Sequence, residues 1–294
     1  MRLAVPNVSE GRDPARVDDI VKAFQDPAAL LDFHFDAVHN RTVVTLASTD
    51  DALADSLLAG GREAVGLVDI AAHEGAHPCI GALDVCPVVF IEEGDREPAR
   101  AEALAIAERL AGELSLPVFL YGDLASSEQR RERAYFRDGG ITRLGERMAS
   151  GELAPDFGPP TPHPSAGATL VTARPPLAAF NLFLDSPDPG LARLVAAALR
   201  ESAGGLPGVR AIGLPFEGVT QVSTNIHDPL RISLADVVTE VRRLAEPLGA
   251  RATSAEIVGL VPKASLRGFP ESVELIDPDV DAHVLERRLE KLGR

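Results

Sequence analysis

Tryptophan is absent from this chain, and aromatic residues make up only 4% of it. Its cores must therefore rest on Leu, Val, Ile and Ala, within a hydrophobic content of 45%. Cysteine is scarce too, with Cys79 and Cys86 the two present. A pair this close in sequence, with no second pair, makes neither a disulfide framework nor a four-thiolate zinc site. It predicts reduced thiols in a cytoplasmic protein. No apolar run approaches the roughly 18 residues of a membrane span, and residues 1–24 hold no apolar signal-peptide core. No membrane partner is expected. Positive charge is short as well: 29 Lys and Arg stand against 44 Asp and Glu, a net charge of −15. Binding nucleic acid needs a basic footprint to neutralise phosphates, so that partner is not expected either. A small anionic substrate stays open if a local cluster of arginines lines a pocket.

What is present is an α/β texture across 294 residues, a length that suits two domains of ordinary size. Residues 2–6 read as a short buried strand. Asp13 is a good N-cap with Pro14 behind it, and Val17, Ile20, Val21 and Phe24 fall at helical spacing. Strands are expected at 30–35, 42–48, 84–91 and 117–121. Helices are expected at 51–71 and 97–114, with a charge-rich helical stretch over 126–148. Residues 154–167, APDFGPPTPHPSAG, hold five prolines and two glycines, which bars a helix or a central strand. This segment reads as a linker, and as a loop between domains it could also line a ligand cleft. The α/β texture then resumes. Strands are expected at 169–173, 178–184, 209–214, 219–225 and 256–261, and helices at 190–202, 233–248 and 279–292. The fold class expected is α/β, in two subdomains, each a mixed sheet with helices packed on one face. The expected division is 1–153, a linker at 154–168, and 169–294.

Residues 73–77, HEGAH, match the H-E-x-x-H pattern of zinc proteases. That chemistry needs both histidines on one face of an unbroken helix. Gly75 costs a helix about 1 kcal/mol relative to Ala. Pro78 directly after His77 pushes His77 out of the helical region, and a proline deep in a helix costs about 3 kcal/mol. His77 is therefore expected beyond a helix end, on a stiff loop leading into a strand. An imidazole held there suits general acid–base work, and it equally suits a loop-stabilising role.

Ten short stretches, in order along nearly the whole chain, carry a resemblance. They are VPNVSEGR (5–12), HNRTVVTL (39–46), HEGAHPCIGALDVCP (73–87), VFLYG (118–122), APDFGP (154–159), HPSAGA (163–168), AFNLFL (179–184), VRAIGL (209–214), QVSTNI (221–226) and EIVGLVP (256–262). The chain resembles the formiminotransferase domain of the glutamate formiminotransferase family, without the cyclodeaminase domain of the bifunctional animal members. The resemblance implies two α/β subdomains with a folate tunnel between them, and a homodimer. It implies transfer of a formimino (or formyl) group from N-formiminoglutamate to tetrahydrofolate, the co-substrate, in histidine degradation. No metal is expected. His77 matches the family's catalytic histidine, the one before proline. The segment Gly158, Pro159, Pro160, Thr161, Pro162, His163, Pro164, Ser165, Ala166 and Gly167 matches the folate-contacting loop.

Both substrates carry carboxylates, so cations are needed, and Arg41, Arg174 and Arg210 adjoin matching stretches. Further candidates on loops beside the matched strands are Asn7, Ser9, Glu10, Asn40, Asp84, Gln221 and Asn225. Asp84 or Glu10 could fix the tautomer of His77. Two positions depart from the family. Cys79 stands where arginine is usual, and a thiol cannot replace a bidentate cation. His34 stands where some members carry a carboxylate, with Asp36 two residues on. Two other readings stand beside this one: a non-catalytic folate-binding paralogue, and a metal-dependent hydrolase of an N-acyl or N-formimino amino acid using His73, His77 and Asp84.

Overall fold

The first sheet gathers strands that are far apart in the chain. A computed structural model describes residues 1–48, 52–216 and 218–292. Its elements up to residue 175 are β1 (Arg2–Ala4), β2 (Asn7–Val8), α1 (Pro14–Phe24), β3 (Ala29–Asp36), β4 (Arg41–Ser48), α2 (Ala52–Leu67), β5 (Leu83–Val89), α3 (Arg96–Leu114), β6 (Val118–Leu120), α4 (Arg133–Arg137), α5 (Gly140–Ala149) and β7 (Thr169–Arg174). The strand expected over 2–6 is split at Pro6, which has no N–H to give a ladder. β1 and β2 share one lane between β4 and β5, and both run antiparallel to them. β3 pairs with β4 at one edge, and β5, β7 and β6 run parallel at the other.

Alternation along the strands sets two faces. Val44 and Leu46 of β4, Cys86 and Val88 of β5, and Val171 and Ala173 of β7 pack under α1, α2 and α3. The Asp13 side chain accepts from the amides of Ala15 and Arg16 and fixes where α1 begins. On the opposite face, Phe119 and Leu170 pack with Phe136 of α4 and with Leu144 and Met148 of α5. Helices therefore lie on both faces here, where one was expected. The helical stretch expected over 126–148 is broken at Gly139 and Gly140, whose φ values of 70° and 68° lie in the left-handed region. That break lets α4 and α5 fold over the sheet as two short pieces.

The expected boundary at 168/169 moves. The chain divides into Met1–Pro175 and Pro176–Arg294. The reason is β7, which pairs with β5 from Val85↔Leu170 to Val89↔Arg174 and so belongs to the first sheet. The proline-rich segment is consequently a loop inside the first unit rather than a linker between units. Phe157 bridges Val118, and the turn from His163 to Gly167 is closed by hydrogen bonds of 2.8 and 3.0 Å between those two residues.

The second unit holds β8 (Ala178–Leu184), α6 (Pro189–Leu199), β9 (Val209–Phe216), β10 (Val219–Ile226), α7 (Leu234–Ala245), β11 (Ala252–Val258), β12 (Glu274–Leu275) and α8 (Leu285–Lys291). The sheet order is β12-β11-β8-β10-β9, antiparallel except for β11 with β12. The strand expected at 256–261 lies earlier, and the short β12 was not anticipated. Phe180, Leu182, Val222 and Ile257 form a core with Val195 and Leu199 of α6 and Val237 and Val241 of α7. A capping box at Ser233 and Asp236 starts α7.

The contact between α1 and α2 is close enough to test. Phe24 is fully buried, and a Cβ added at Gly60 would lie 2.2 Å from its ring. Gly60→Ala is expected to destabilise the chain by about 1–3 kcal/mol through overpacking, read as a lower midpoint in urea unfolding. An unchanged midpoint would mean that this helix pair has room to spare.

Candidate functional site

Three loops meet at the end of the first sheet where β2 stops and β4 and β5 start. They are residues 9–12, the turn 37–40, and the segment 68–82. Asn40, at φ 50°, staples them together. Its Oδ1 accepts from the Gly11 amide at 2.9 Å, and its Nδ2 donates to the Glu74 carbonyl at 3.0 Å. The Ala76 amide donates to the Val38 carbonyl at 3.0 Å. Gly75, which argued against a helix, has a second role: a Cβ there would come within 2.4 Å of the His39 carbonyl oxygen. HEGAH is thus irregular chain beyond α2, and the two histidines do not share a helical face. His73 turns its Nδ1 toward Asn40 Nδ2 at 3.3 Å. Among the described residues no group of three His, Cys, Asp or Glu side chains could hold a metal ion.

The pocket at this junction is lined by Ser9, His39, Asn40, Arg41, His73, His77, Cys79 and Asp84. Its floor is a buried ion pair. Asp84 accepts from the Ile80 amide at 2.8 Å through one oxygen and binds the Arg137 guanidinium with the other. Side-chain exposures of 9% for Arg137 and 4% for Asp84 leave water little access to the pair. Ser9 Oγ donates to the Gly81 carbonyl at 2.7 Å. Burial, with Asp84 adding to it, pushes the Cys79 thiol up to about 11, so it stays protonated and is no nucleophile at neutral pH.

Positive charge gathers around His77. Burial, then the guanidinium of Arg41, then Arg137 and Arg133, and His39 hold its imidazole down to about 2. Arg41 itself is lowered to about 10 by burial and by Arg133 and Arg137, against the pull of Asp84 and Asp36. Alternation puts Arg41 and, further along the sheet, Arg174 on the face away from α1–α3. Arg174 is likewise held to about 10, by burial first. Tyr121 belongs to the same strip. The Arg133 guanidinium lies 5.9 Å from its ring centre, and burial raises its phenol against the charges of Arg133, Arg174 and Arg137. A neutral imidazole beside several poorly compensated guanidiniums can exchange protons with a substrate that brings its own carboxylates.

The expected residues separate into groups. His77, Arg41, Cys79, Asp84, Ser9 and Asn40 come together in the pocket, and Arg174 extends its cationic strip. Glu10 does not line the pocket. Its Oε1 accepts from the amides of Gly11, Arg12 and Asp13 at 2.9, 2.8 and 3.1 Å, which fixes the turn leading into α1. Asn7 bonds its side chain to the Val5 carbonyl at 2.9 Å. His34 lies on β3, with its Nδ1 3.9 Å from Asp32, while Asp36 caps the His39 turn. Arg210 pairs with Glu201 at 3.6 Å. Arg210, Gln221 and Asn225 lie on the helix-free face of the second sheet, with Asn225 opposite Arg210. The loop from Gly158 to Gly167 shows Gly158, Pro160, Thr161 and Pro164 to solvent and buries Ala166 and Gly167. It is pinned beside the pocket strand, since Ala82 N donates to Ala166 O and Ala168 N to Ile80 O, each at 2.9 Å. Arg133, Arg137 and His39 were not anticipated. The available signal was two arginines four apart on one helix face, flanking a buried Phe136.

Taken together, the first unit defines an α/β protein whose pocket sets the His77 imidazole with Arg41 and the Asp84 that binds Arg137. The chain belongs to the formiminotransferase family: residues 1–174 match the formiminotransferase domain, N-terminal subdomain, and residues 179–269 match the formiminotransferase domain. It is 34% identical to the glutamate formimidoyltransferase of Streptococcus pyogenes serotype M1 over 290 residues, 97% of each chain. It is 32% identical to that of Thermoplasma acidophilum over 293 residues, 98% of this chain and 96% of the other. The mouse formimidoyltransferase-cyclodeaminase is 38% identical over 272 residues, which cover 89% of this chain and 50% of that longer protein.

The buried pair makes a direct prediction. Asp84→Ala strands the Arg137 charge in the pocket floor, and removing one partner of such a pair costs about 3–5 kcal/mol. Chemical unfolding should show a loss on that scale. A loss under about 1 kcal/mol, the range of solvent-screened pairs, would show that the pair is wet.

Proposed function

We propose that this chain transfers a formimino group from N-formiminoglutamate to N5 of tetrahydrofolate, with His77 as the proton carrier. The observation that carries the reading is His77 in one pocket with Arg41 and with Asp84, which binds the Arg137 guanidinium. N5 attacks the formimino carbon to give a tetrahedral adduct. N5 then sheds its proton, the glutamate nitrogen gains one, and the carbon–nitrogen bond to glutamate breaks. One imidazole can take the first proton and return it to the leaving nitrogen. The cluster of Arg41, Arg133 and Arg137 makes the imidazolium a strong acid, which favours handing the proton on. The donor's two carboxylates offset that cluster and make the neutral imidazole a more useful base. The loop Gly158–Gly167, pinned beside the pocket strand, would contact the folate.

No helix among the described residues is long and apolar enough to cross a membrane. We place the activity in the cytoplasm, in histidine breakdown, on family resemblance. A homodimer is part of the same reading. The edge strand β3 supports it by exposing Phe33 and Phe35, at 40% and 46%.

The test is a steady-state assay with formiminoglutamate and tetrahydrofolate. His77→Ala should lower kcat by about 100-fold or more while folate affinity is kept. Near-normal turnover in that variant would remove His77 from the mechanism. Folate binding without turnover in the unmodified chain would leave a non-catalytic folate binder.

The pH dependence follows from the same charges. A base works when neutral, and His77 in the free protein is neutral down to about pH 2. The kcat/KM profile, which reports the free protein, should show no acid limb from His77 between pH 5 and pH 8, the range where an unperturbed histidine titrates. Bound carboxylates favour the imidazolium and raise its pKa, so kcat should begin to fall at a higher pH than kcat/KM. Coincident limbs would show that substrate charge does not reach His77.

A further inference from the structure

Six arginines fall between residues 130 and 147. Five have acidic partners: Arg130 with Asp156, Arg131 with Asp123 and Glu128, Arg137 with Asp84, Arg143 with Glu146, and Arg147 with Glu152. Arg133 makes no ion pair among the described residues. It is half-buried at the start of α4, four residues before Arg137 and so on the same face of that helix. Tyr121 lies beneath its guanidinium, 5.9 Å from ring centre to the charge, an arrangement that steadies the cation while leaving its N–H groups free. Its charge is felt by His77 and Arg41 on one side and by Arg174 on the other. Holding a guanidinium among others without an acid costs stability, and a bound anion would relieve that cost.

We infer that Arg133 is the specificity-determining cation of this pocket and that it binds the α-carboxylate of the formimino donor. The inference rests on the transfer reading above. Both substrates carry carboxylates, and chemistry separates them. In the donor, the α-carboxylate sits on the carbon bonded to the leaving nitrogen, the atom to which His77 returns its proton. Arg133 lies one helical turn before Arg137, which binds Asp84 in the same pocket lining as His77, and this places an unpaired cation within reach of that carboxylate. In folate, the aminobenzoyl group separates the glutamate tail from N5, so a tail carboxylate would lie well away from the transferred proton.

The experiment compares unmodified protein, Arg133→Gln and Arg133→Lys, each first checked by thermal melting. For Arg133→Gln the donor KM should rise roughly 10- to 100-fold, the scale of one charge-assisted hydrogen bond. The folate KM should stay put and kcat should move less than the donor KM. Arg133→Lys, which keeps the charge without the planar fork, should fall between. A donor analogue with its α-carboxylate converted to the carboxamide should bind more weakly than the donor to unmodified protein, and that penalty should vanish in Arg133→Gln. A rise confined to the folate KM would assign Arg133 to the folate tail and overturn the inference, as would an equal penalty for the analogue in both proteins. If the unmodified chain does not turn over formiminoglutamate, the transfer reading fails on its own. Calorimetric titration of formiminoglutamate into the two proteins then still decides Arg133, because equal binding would reject it.

Discussion

The ion pair between Asp84 and Arg137 holds the site in being. Asp84 comes from the start of β5 and Arg137 from the end of α4, 53 residues apart. The pair is buried, so its geometry is held against water rather than averaged through it. It ties α4 to the mouth of the sheet, and with α4 comes Arg133, the guanidinium that lies over the Tyr121 ring. Asp84 also accepts the Ile80 amide, which orders the chain just after Cys79. One carboxylate thereby positions a helix, a loop and the strand that joins them.

The charge balance of the pocket is the reverse of that of the chain. A net charge of −15 describes the protein as a whole. Around His77, Arg41, Arg133 and Arg137 converge, with Asp84 committed to Arg137. Such a concentration repels itself and is tolerable only because surrounding structure holds it in place. In the transfer proposed above, a dicarboxylate would supply the missing negative charge and at the same moment change the basicity of His77. Substrate binding and proton transfer would then be coupled through ordinary Coulomb forces.

The site stands on close backbone packing. Asn40 joins the loop after β2 to the loop before β5, and Gly75 allows those chains to touch. Glu10 read as a site carboxylate able to fix the tautomer of His77 because it stands in a polar loop beside a matched strand. Its Oε1 is taken up by the amides of Gly11, Arg12 and Asp13 ahead of α1, the first of which it shares with Asn40. Asn7 and Asp36 are likewise used by their own turns. Polar residues in tight loops commonly serve the backbone first, and a sequence does not reveal which of them have spare hydrogen-bonding capacity.

Local chemistry is what the sequence alone determined. Pro78 and Gly75 kept His77 out of a helix, Asp13 and Pro14 started α1, and the ordered run of short stretches marked the family. Each depends on residues adjacent in the chain, where steric and capping rules act directly. The tertiary structure decided the partnerships. Residues 126–148 read as a charge-rich helical stretch. Two glycines at positive φ break it, and its pieces fold over the sheet, which turns Arg133 and Arg137 inward. The strand at 169–174 read as the start of a second domain, yet its parallel pairing with β5 makes it part of the first. Pairing between strands about 80 residues apart, and the choice of which of many arginines loses its acid partner, follow from packing over distances that no local pattern encodes.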